Sequence, residues 1–299
     1  MERNRSRPTP EEPPLVIKIG GRELLPGAPL DRLARRLAGL AAGGRDLTVV
    51  HGGGDEITDR AHALGLKTSS VAGQRITSAP MLEIVLEVLG GRINGRLTAA
   101  LARAGVPAAG LTGASGGILR VRPAGDPPGA LGFVGIPERV AAAPLHALRA
   151  AGLVPVLAPI GLDEAGQLYN VNADLAAAAV AAATGAILWQ LTDVPGVRDG
   201  PDGRILPVLP VATARRLVAL GRATGGMIPK LEAAERALRG GASAVWIGPP
   251  EALGARGPRA GTGTWIRPSA ARPPAARVSA PPLPEARAAP AAGGREAAR

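Results

Sequence analysis

The chain has 299 residues, 46% hydrophobic but only 2% aromatic, so it can bury a large core only by building it from Ala, Val, Leu and Ile. With no cysteine it has no disulfide, no thiolate nucleophile and no cysteine-held zinc, and no apolar run is long enough to span a bilayer. The formal charge of +11 raises nucleic acid as a partner, but the arginines are scattered through helical patterns and no aromatic residues interleave to stack bases. Neither nucleic acid nor a membrane is expected. Met1–Arg5 lacks the apolar segment of a signal peptide, so a cytoplasmic protein is expected.

Among 35 Lys and Arg residues only Lys18, Lys67 and Lys230 are lysine. Lysine is a compact point charge, whereas arginine is a rigid planar fork. Lys18 and Lys230 both sit beside glycines, in the kind of setting that meets phosphate. Lys67 reads as a solvated surface residue.

Residues 1–14 are polar, carry Pro8, Pro10, Pro13 and Pro14, and read as a disordered arm. A strand is predicted at Leu15–Ile19, ending in Gly20-Gly21, and a helix at Pro29–Ala42. A second strand, Leu47–His51, runs into Gly52-Gly53-Gly54 and a helix at Glu56–Leu64. Glycines after a strand let backbone N–H groups approach an anion, although a tight turn alone explains one such run. Two such turns at strand C-terminal ends converge on the edge where open α/β sheets bind ligands. The segment Gly73-Gln74-Arg75-Ile76-Thr77 follows; Arg75 has the fork to clamp a carboxylate and, taken alone, also suits a plain surface.

A long helix at Pro80–Ala104 carries Met81, Ile84, Val85, Val88 and Leu89 at helical spacing. That stripe is taken to be available as a symmetric contact between copies. Strands at Ala108–Leu111 and Val154–Pro159 flank a helix at Pro144–Ala151. Short hairpin strands are expected near Leu119–Val121, Leu131–Val134 and Gln167–Tyr169. In Asn170-Val171-Asn172-Ala173-Asp174 the three polar residues share one parity, which suits a ligand-facing row, a helix cap, or both. A helix at Ala173–Ala183, a strand at Ile187–Thr192 and the turn Asp193-Val194-Pro195-Gly196 come next. Helices at Val211–Leu220 and Pro229–Gly240 and a strand at Ala244–Ile247 complete the pattern. Alternating strands and helices predict an α/β fold, an open αβα sandwich on a mainly parallel sheet. From Pro268 the sequence is aperiodic and reads as a disordered tail.

Taken in order, Lys-x-Gly-Gly, His-Gly-Gly-Gly, Gly-x-Arg-x-Thr, Asn-x-Asn-x-Asp, Thr-Asp-Val-Pro-Gly and Gly-Gly-Met-Ile-Pro-Lys resemble the amino-acid kinase family. Within it they are most similar to the bacterial N-acetylglutamate kinases, from about Leu15 to Ile266. The resemblance implies ATP-dependent phosphorylation of the γ-carboxylate of N-acetyl-L-glutamate, a small-molecule reaction of arginine biosynthesis. It implies an acyl-amino-acid site in an N-terminal lobe, residues 15–178, and an ATP site in a C-terminal lobe, residues 179–267.

By that resemblance Lys18 and Lys230 neutralise the transferred phosphoryl group and Asp174 holds both lysines. Gly53, Gly54, Arg75, Asn170 and Asn172 contact the substrate. Gly20, Gly21, Asp193, Val194, Pro195, Gly196, Val197, Arg198, Arg222, Ala223 and Thr224 line the ATP site. No Asp/Glu/His cluster suggests a protein-held metal, so Mg2+ is expected to arrive on ATP. Rival readings are a kinase for carrier-linked aminoadipate or glutamate and a non-catalytic nucleotide sensor of the same fold. Ser115 stands where aspartate is usual in the family. Arginine-inhibited members carry an N-terminal helix that residues 1–14, broken by proline, are not expected to form. A homodimer insensitive to arginine is therefore expected.

Overall fold

A computed structural model describes residues 12–71, 74–200 and 203–269. Most of the expected arm and tail, and Gly73, lie outside the described residues. The first half runs β1 (Leu15–Ile19), α1 (Ala28–Ala42), β2 (Leu47–His51), α2 (Gly54–Ala63), the short pair β3 (Ser70–Val71) and β4 (Gln74–Arg75), then α3 (Ala79–Val85). A π-helical stretch, Leu86–Ile93, joins α3 to α4 (Asn94–Arg103). Next come β5 (Ala108–Thr112), β6 (Leu119–Pro123), β7 (Val134–Val140), α5 (Ala143–Ala150), β8 (Val154–Ala158), β9 (Ile160–Leu162) and β10 (Leu168–Val171). The remainder is α6 (Ala173–Thr184), β11 (Ile187–Leu191), β12 (Val208–Pro210), α7 (Val211–Ala219), α8 (Met227–Gly240), β13 (Ala244–Gly248), β14 (Leu253–Gly254), β15 (Gly257–Pro258) and β16 (Thr264–Arg267).

Eight strands form one sheet in the order β12-β16-β13-β11-β1-β2-β8-β5. Every neighbouring pair is parallel except β13 with β16. Strand residues alternate between faces. Leu15, Ile17 and Ile19 enter the core shared with α1 and the 79–103 helix, while Val16 turns to the core shared with α6, α7 and α8. The alanine-rich helices lie close on that second face: a Cβ on Gly240 of α8 would sit 2.7 Å from Ala182 Cβ of α6. Small side chains permit this approach and an aliphatic core replaces the missing aromatics.

Three expectations change. The helix predicted over Pro80–Ala104 is continuous but widens to π geometry at Leu86–Ile93, around Gly90-Gly91; a glycine pair offers little resistance to such a bulge. The Met81, Ile84, Val85, Val88 and Leu89 stripe is buried in the chain's own core, so it is not free to serve as a symmetric contact. The expected hairpins are instead β6, β7, β9 and β10, closed into a small four-stranded barrel. Its strand near Leu131 starts only at Val134, because Leu131 and Phe133 exchange backbone hydrogen bonds with Thr77 at 3.0 and 2.7 Å.

Candidate active site

Lys18 is the fourth residue of β1, and its side chain runs out on the face covered by α6 and α8. There its Nζ lies 3.0 Å from Asp174 Oδ1, and Lys230 Nζ of α8 lies 3.5 Å from Asp174 Oδ2. One carboxylate thus bridges two ammonium groups. Asp174 is placed by the start of α6, where Asn172 Oδ1 accepts from the backbone N–H of Asp174 at 2.8 Å and of Leu175 at 3.2 Å. This is an N-cap. Burial pushes the Asp174 carboxyl up, but the charges of Lys18 and Lys230 and their hydrogen bonds outweigh it and hold the group below its usual range. Lys230 is lowered by burial and by the Lys18 charge, with Asp174 offsetting part of the effect.

The two glycine turns meet beside this pair. Gly52 N–H donates to Ile19 carbonyl at 2.9 Å, and a Cβ on Gly21 would lie 3.4 Å from Gly53 Cα. Gly53 is pressed against the π stretch: a Cβ there would fall 2.2 Å from Ile93 Cδ1 and 2.8 Å from Leu89 Cδ2. Four positions apart, these two side chains share one helix face beneath the loop. His51 is fully buried and its pKa is lowered to about 4, mainly by burial. Its Nε2 accepts from Asn94 Nδ2 at 3.1 Å, so Nδ1–H donates to Gly52 carbonyl at 3.0 Å. The neutral imidazole therefore braces the turn from below.

Two cavities open on either side of the Lys18–Asp174 pair. The smaller, about 270 Å³, is lined by Gly53, Gly54, Arg75, Asn170 and Asn172, with Lys18 and Asp174 in its wall. Arg75 Nη2 donates to Gly54 carbonyl at 2.9 Å and Thr58 Oγ1 at 2.7 Å, and Asn170 Nδ2 donates to Thr77 Oγ1 at 3.1 Å. The larger, about 550 Å³, is walled by Gly20, Gly21, the Asp193 and Val194 exit of β11, and Lys230. Gly196, Arg198, Arg222, Ala223 and Thr224 also line it. Lys18, Gly20, Gly21 and Gly54 belong to both.

Pro195 and Val197 are not in that lining. Val197 is fully buried in the second core, with its N–H on Thr264 Oγ1 at 2.8 Å, and Pro195 faces solvent. Ser115 lines neither cavity; its Oγ accepts from Thr112 N–H at 3.2 Å and closes a local turn. Arg22 and Thr192 line the larger cleft, and Arg22 pairs with Asp193 at 2.5 Å. Thr192 opens the Thr-Asp-Val-Pro-Gly motif, whereas sequence reasoning missed Arg22 because nothing in its spacing sets it apart. Asn94 escaped notice too, although a lone Asn beside an apolar helical stripe is a usable signal. Among the described residues no group of three or more His, Asp or Glu could hold a metal ion.

This arrangement, two cations on one carboxylate between two cavities bordered by glycine turns, suits transfer of an anionic group from one cavity to the other. A family model described as the amino acid kinase family matches residues 13–248. The chain belongs to that family. It is 45% identical over 231 residues to an acetylglutamate kinase of Rubrobacter xylanophilus, covering 77% of this chain and 87% of that one. It is 41% identical over 244 residues to an acetylglutamate kinase of Acidiphilium cryptum, covering 78% and 81%. Among solved structures it resembles N-acetylglutamate synthase from Neisseria gonorrhoeae complexed with coenzyme A and N-acetyl-glutamate. There the TM-score is 0.75 at 28% identity, over 86% of this chain and 60% of that chain.

Proposed function

We propose that this chain is an acetylglutamate kinase that transfers a phosphoryl group from ATP to the γ-carboxylate of N-acetyl-L-glutamate, yielding N-acetyl-L-glutamyl 5-phosphate for arginine biosynthesis. The observation that carries the reading is the Lys18–Asp174–Lys230 bridge between the two cavities: Lys18 lines both, Asp174 the smaller and Lys230 the larger. In this reading the smaller cavity, with Arg75, Asn170 and Asn172, takes N-acetylglutamate. The larger, between Gly20-Gly21 and the Asp193–Arg198 and Arg222–Thr224 segments, takes ATP. These are the roles given to the lobes 15–178 and 179–267. The acceptor carboxylate is already an anion, so no general base is needed; the demand is for charge neutralisation and alignment. Lys18 and Lys230 supply the charge, the glycine-turn N–H groups supply direction, and Asp174 keeps both ammonium groups in place without taking a proton. Mg2+ carried on the nucleotide supplies further neutralisation of its phosphates.

The reading also places the enzyme in the cytoplasm as a homodimer. The dimer rests on the family resemblance alone, since the helix stripe invoked for it is buried within the chain. Trapping the acyl phosphate with hydroxylamine across N-acetylglutamate, glutamate, aspartate and aminoadipate, with ADP release followed for these and for UMP, tests the reaction. N-acetylglutamate is expected to give a hydroxamate. None from it, with product from another acceptor, overturns the assignment.

Arg75→Lys is expected to raise KM for N-acetylglutamate by about tenfold to a hundredfold, the worth of a charged bidentate contact of roughly 1.5–3 kcal/mol, with KM for ATP little changed. Equal effects on both substrates assign Arg75 only to bracing Gly54 and Thr58.

The lowered pKa of Lys230 predicts a pH effect. Lys230 works as a cation, so kcat/KM, which reports the free enzyme, loses activity as pH rises through a value below the ordinary lysine 10.5. Bound phosphates favour the charged form, so the alkaline limb of kcat is expected at higher pH than that of kcat/KM. Coincident limbs would remove Lys230 as their origin.

A further inference from the structure

Gln190 is a fully buried polar side chain that the reading above leaves without a task. It sits in β11 in register with Lys18 of β1, so both side chains leave the same face of the sheet, the one under α6 and α8. Its Nε2 donates to the carbonyl of Lys230 at 3.1 Å. Its Oε1 is enclosed and meets no donor among the described residues.

Folding alone does not account for this arrangement. Lys230 is the fourth residue of α8, so its carbonyl already has a place in the helix ladder. A leucine at 190 would leave that carbonyl satisfied and remove a buried acceptor that costs stability. What the amide provides is a tie. The first turn of α8 has no side-chain cap and follows Gly225-Gly226, the first at φ 54°. That turn carries Lys230, whose ammonium must meet the same carboxylate as Lys18.

We infer that Gln190 is a positioning residue: its amide pins the first turn of α8 to β11 and so keeps the Lys230 ammonium at Asp174, opposite Lys18. The inference rests on the phosphoryl-transfer reading for its consequence and on geometry alone for its structural part.

The test compares wild type with Gln190→Leu and Gln190→Met, two fillings of similar volume. Steady-state kinetics, thermal melting and a titration of 13Cε-labelled lysines in the nucleotide-free protein are measured. With only three lysines in the chain, a Lys67→Arg protein assigns one signal and simplifies the rest. In both variants kcat is expected to fall about tenfold, as a sub-ångström misplacement does, with KM for ATP within about twofold. The melting midpoint is expected to match or exceed that of wild type. The Lys230 signal is expected to titrate at higher pH than in wild type, because a released side chain is better solvated, while Lys67 does not move. A kcat within about twofold of wild type, an unmoved Lys230 titration, or melting midpoints that fall together with kcat would each overturn the proposal. A wild-type protein that phosphorylates none of the acceptors sinks the functional reading instead, and the titration and melting comparison still decide the structural part.

Discussion

Asp174→Asn is expected to melt about 10 °C below wild type at pH 7 and to lose at least about a hundredfold in kcat. The carboxylate is 9% exposed and is the partner of both lysines, at 3.0 and 3.5 Å. Removing its charge leaves two ammonium groups side by side in a buried setting, a loss of roughly 3–5 kcal/mol for a broken buried pair. Deprotonation of Lys230, already lowered, limits the damage. KM for ATP is expected to stay level or fall, since the cations that face the phosphates are no longer partly neutralised. The sign with pH is definite. A carboxyl whose folded pKa lies below its unfolded value stabilises the fold above the unfolded value and loses that contribution as pH falls through the folded one. Because Asp174 is held below 3.8, wild type and Asp174→Asn should differ fully at neutral pH and converge only in acid below 3.8. Differential scanning calorimetry between neutral and acid pH measures this. A pH-independent difference would mean that the loss is not electrostatic.

Lys18→Arg and Lys230→Arg are each expected to lower kcat about a hundredfold or more, the loss seen when one transition-state donor is removed. The charge is retained but the shape is not. Lys18 is 6% exposed, between β2 and β11, and its Nζ occupies a point 3.0 Å from Asp174. A planar guanidinium needs more width than that site has. The loss should appear in kcat more than in either KM, because neutralisation matters most while the phosphoryl group is in transit. Lys67 is exposed, and Lys67→Arg is expected to leave both constants near wild type. Single-turnover kinetics on the three variants separate these cases. Near-normal turnover in Lys230→Arg would show that any cation serves there.

Much of the candidate site was legible in the sequence. Lysine among so many arginines singled out Lys18 and Lys230, and the apolar runs ending in glycine placed β1 and β2 and their loops. The parity of Asn170, Asn172 and Asp174 marked a polar row, and the structure gives its members separate tasks: Asn172 caps α6 and Asp174 bridges the lysines. What stayed hidden depends on chain segments far apart in sequence. Asn94 meets His51 across 43 positions, and Gln190 reaches the Lys230 carbonyl across 40. In the sequence Gln190 is one polar residue within an apolar run, and Asn94 sits between Arg92 and Arg96 just past the apolar stripe. Val197 shows the reverse error: it adjoins cleft-lining residues, but strand-exit geometry turns it into the core.

Local sequence alone set the aliphatic α/β core, the six strands β1, β2, β5, β8, β11 and β13, and the identity of the charged groups. Apolar runs and helical periodicity are local signals read by the backbone within a turn or two. Contacts between distant segments set the rest: β16 runs antiparallel to β13, the Met81–Leu89 stripe is consumed inside the chain, and the 79–103 helix widens beneath Gly53. These depend on which surfaces meet, and burial and packing at such meetings outweigh local preference. The Lys18–Asp174–Lys230 bridge needs both: its residue types are set by the sequence, but its distances come from the packing of β1, α6 and α8 against one another.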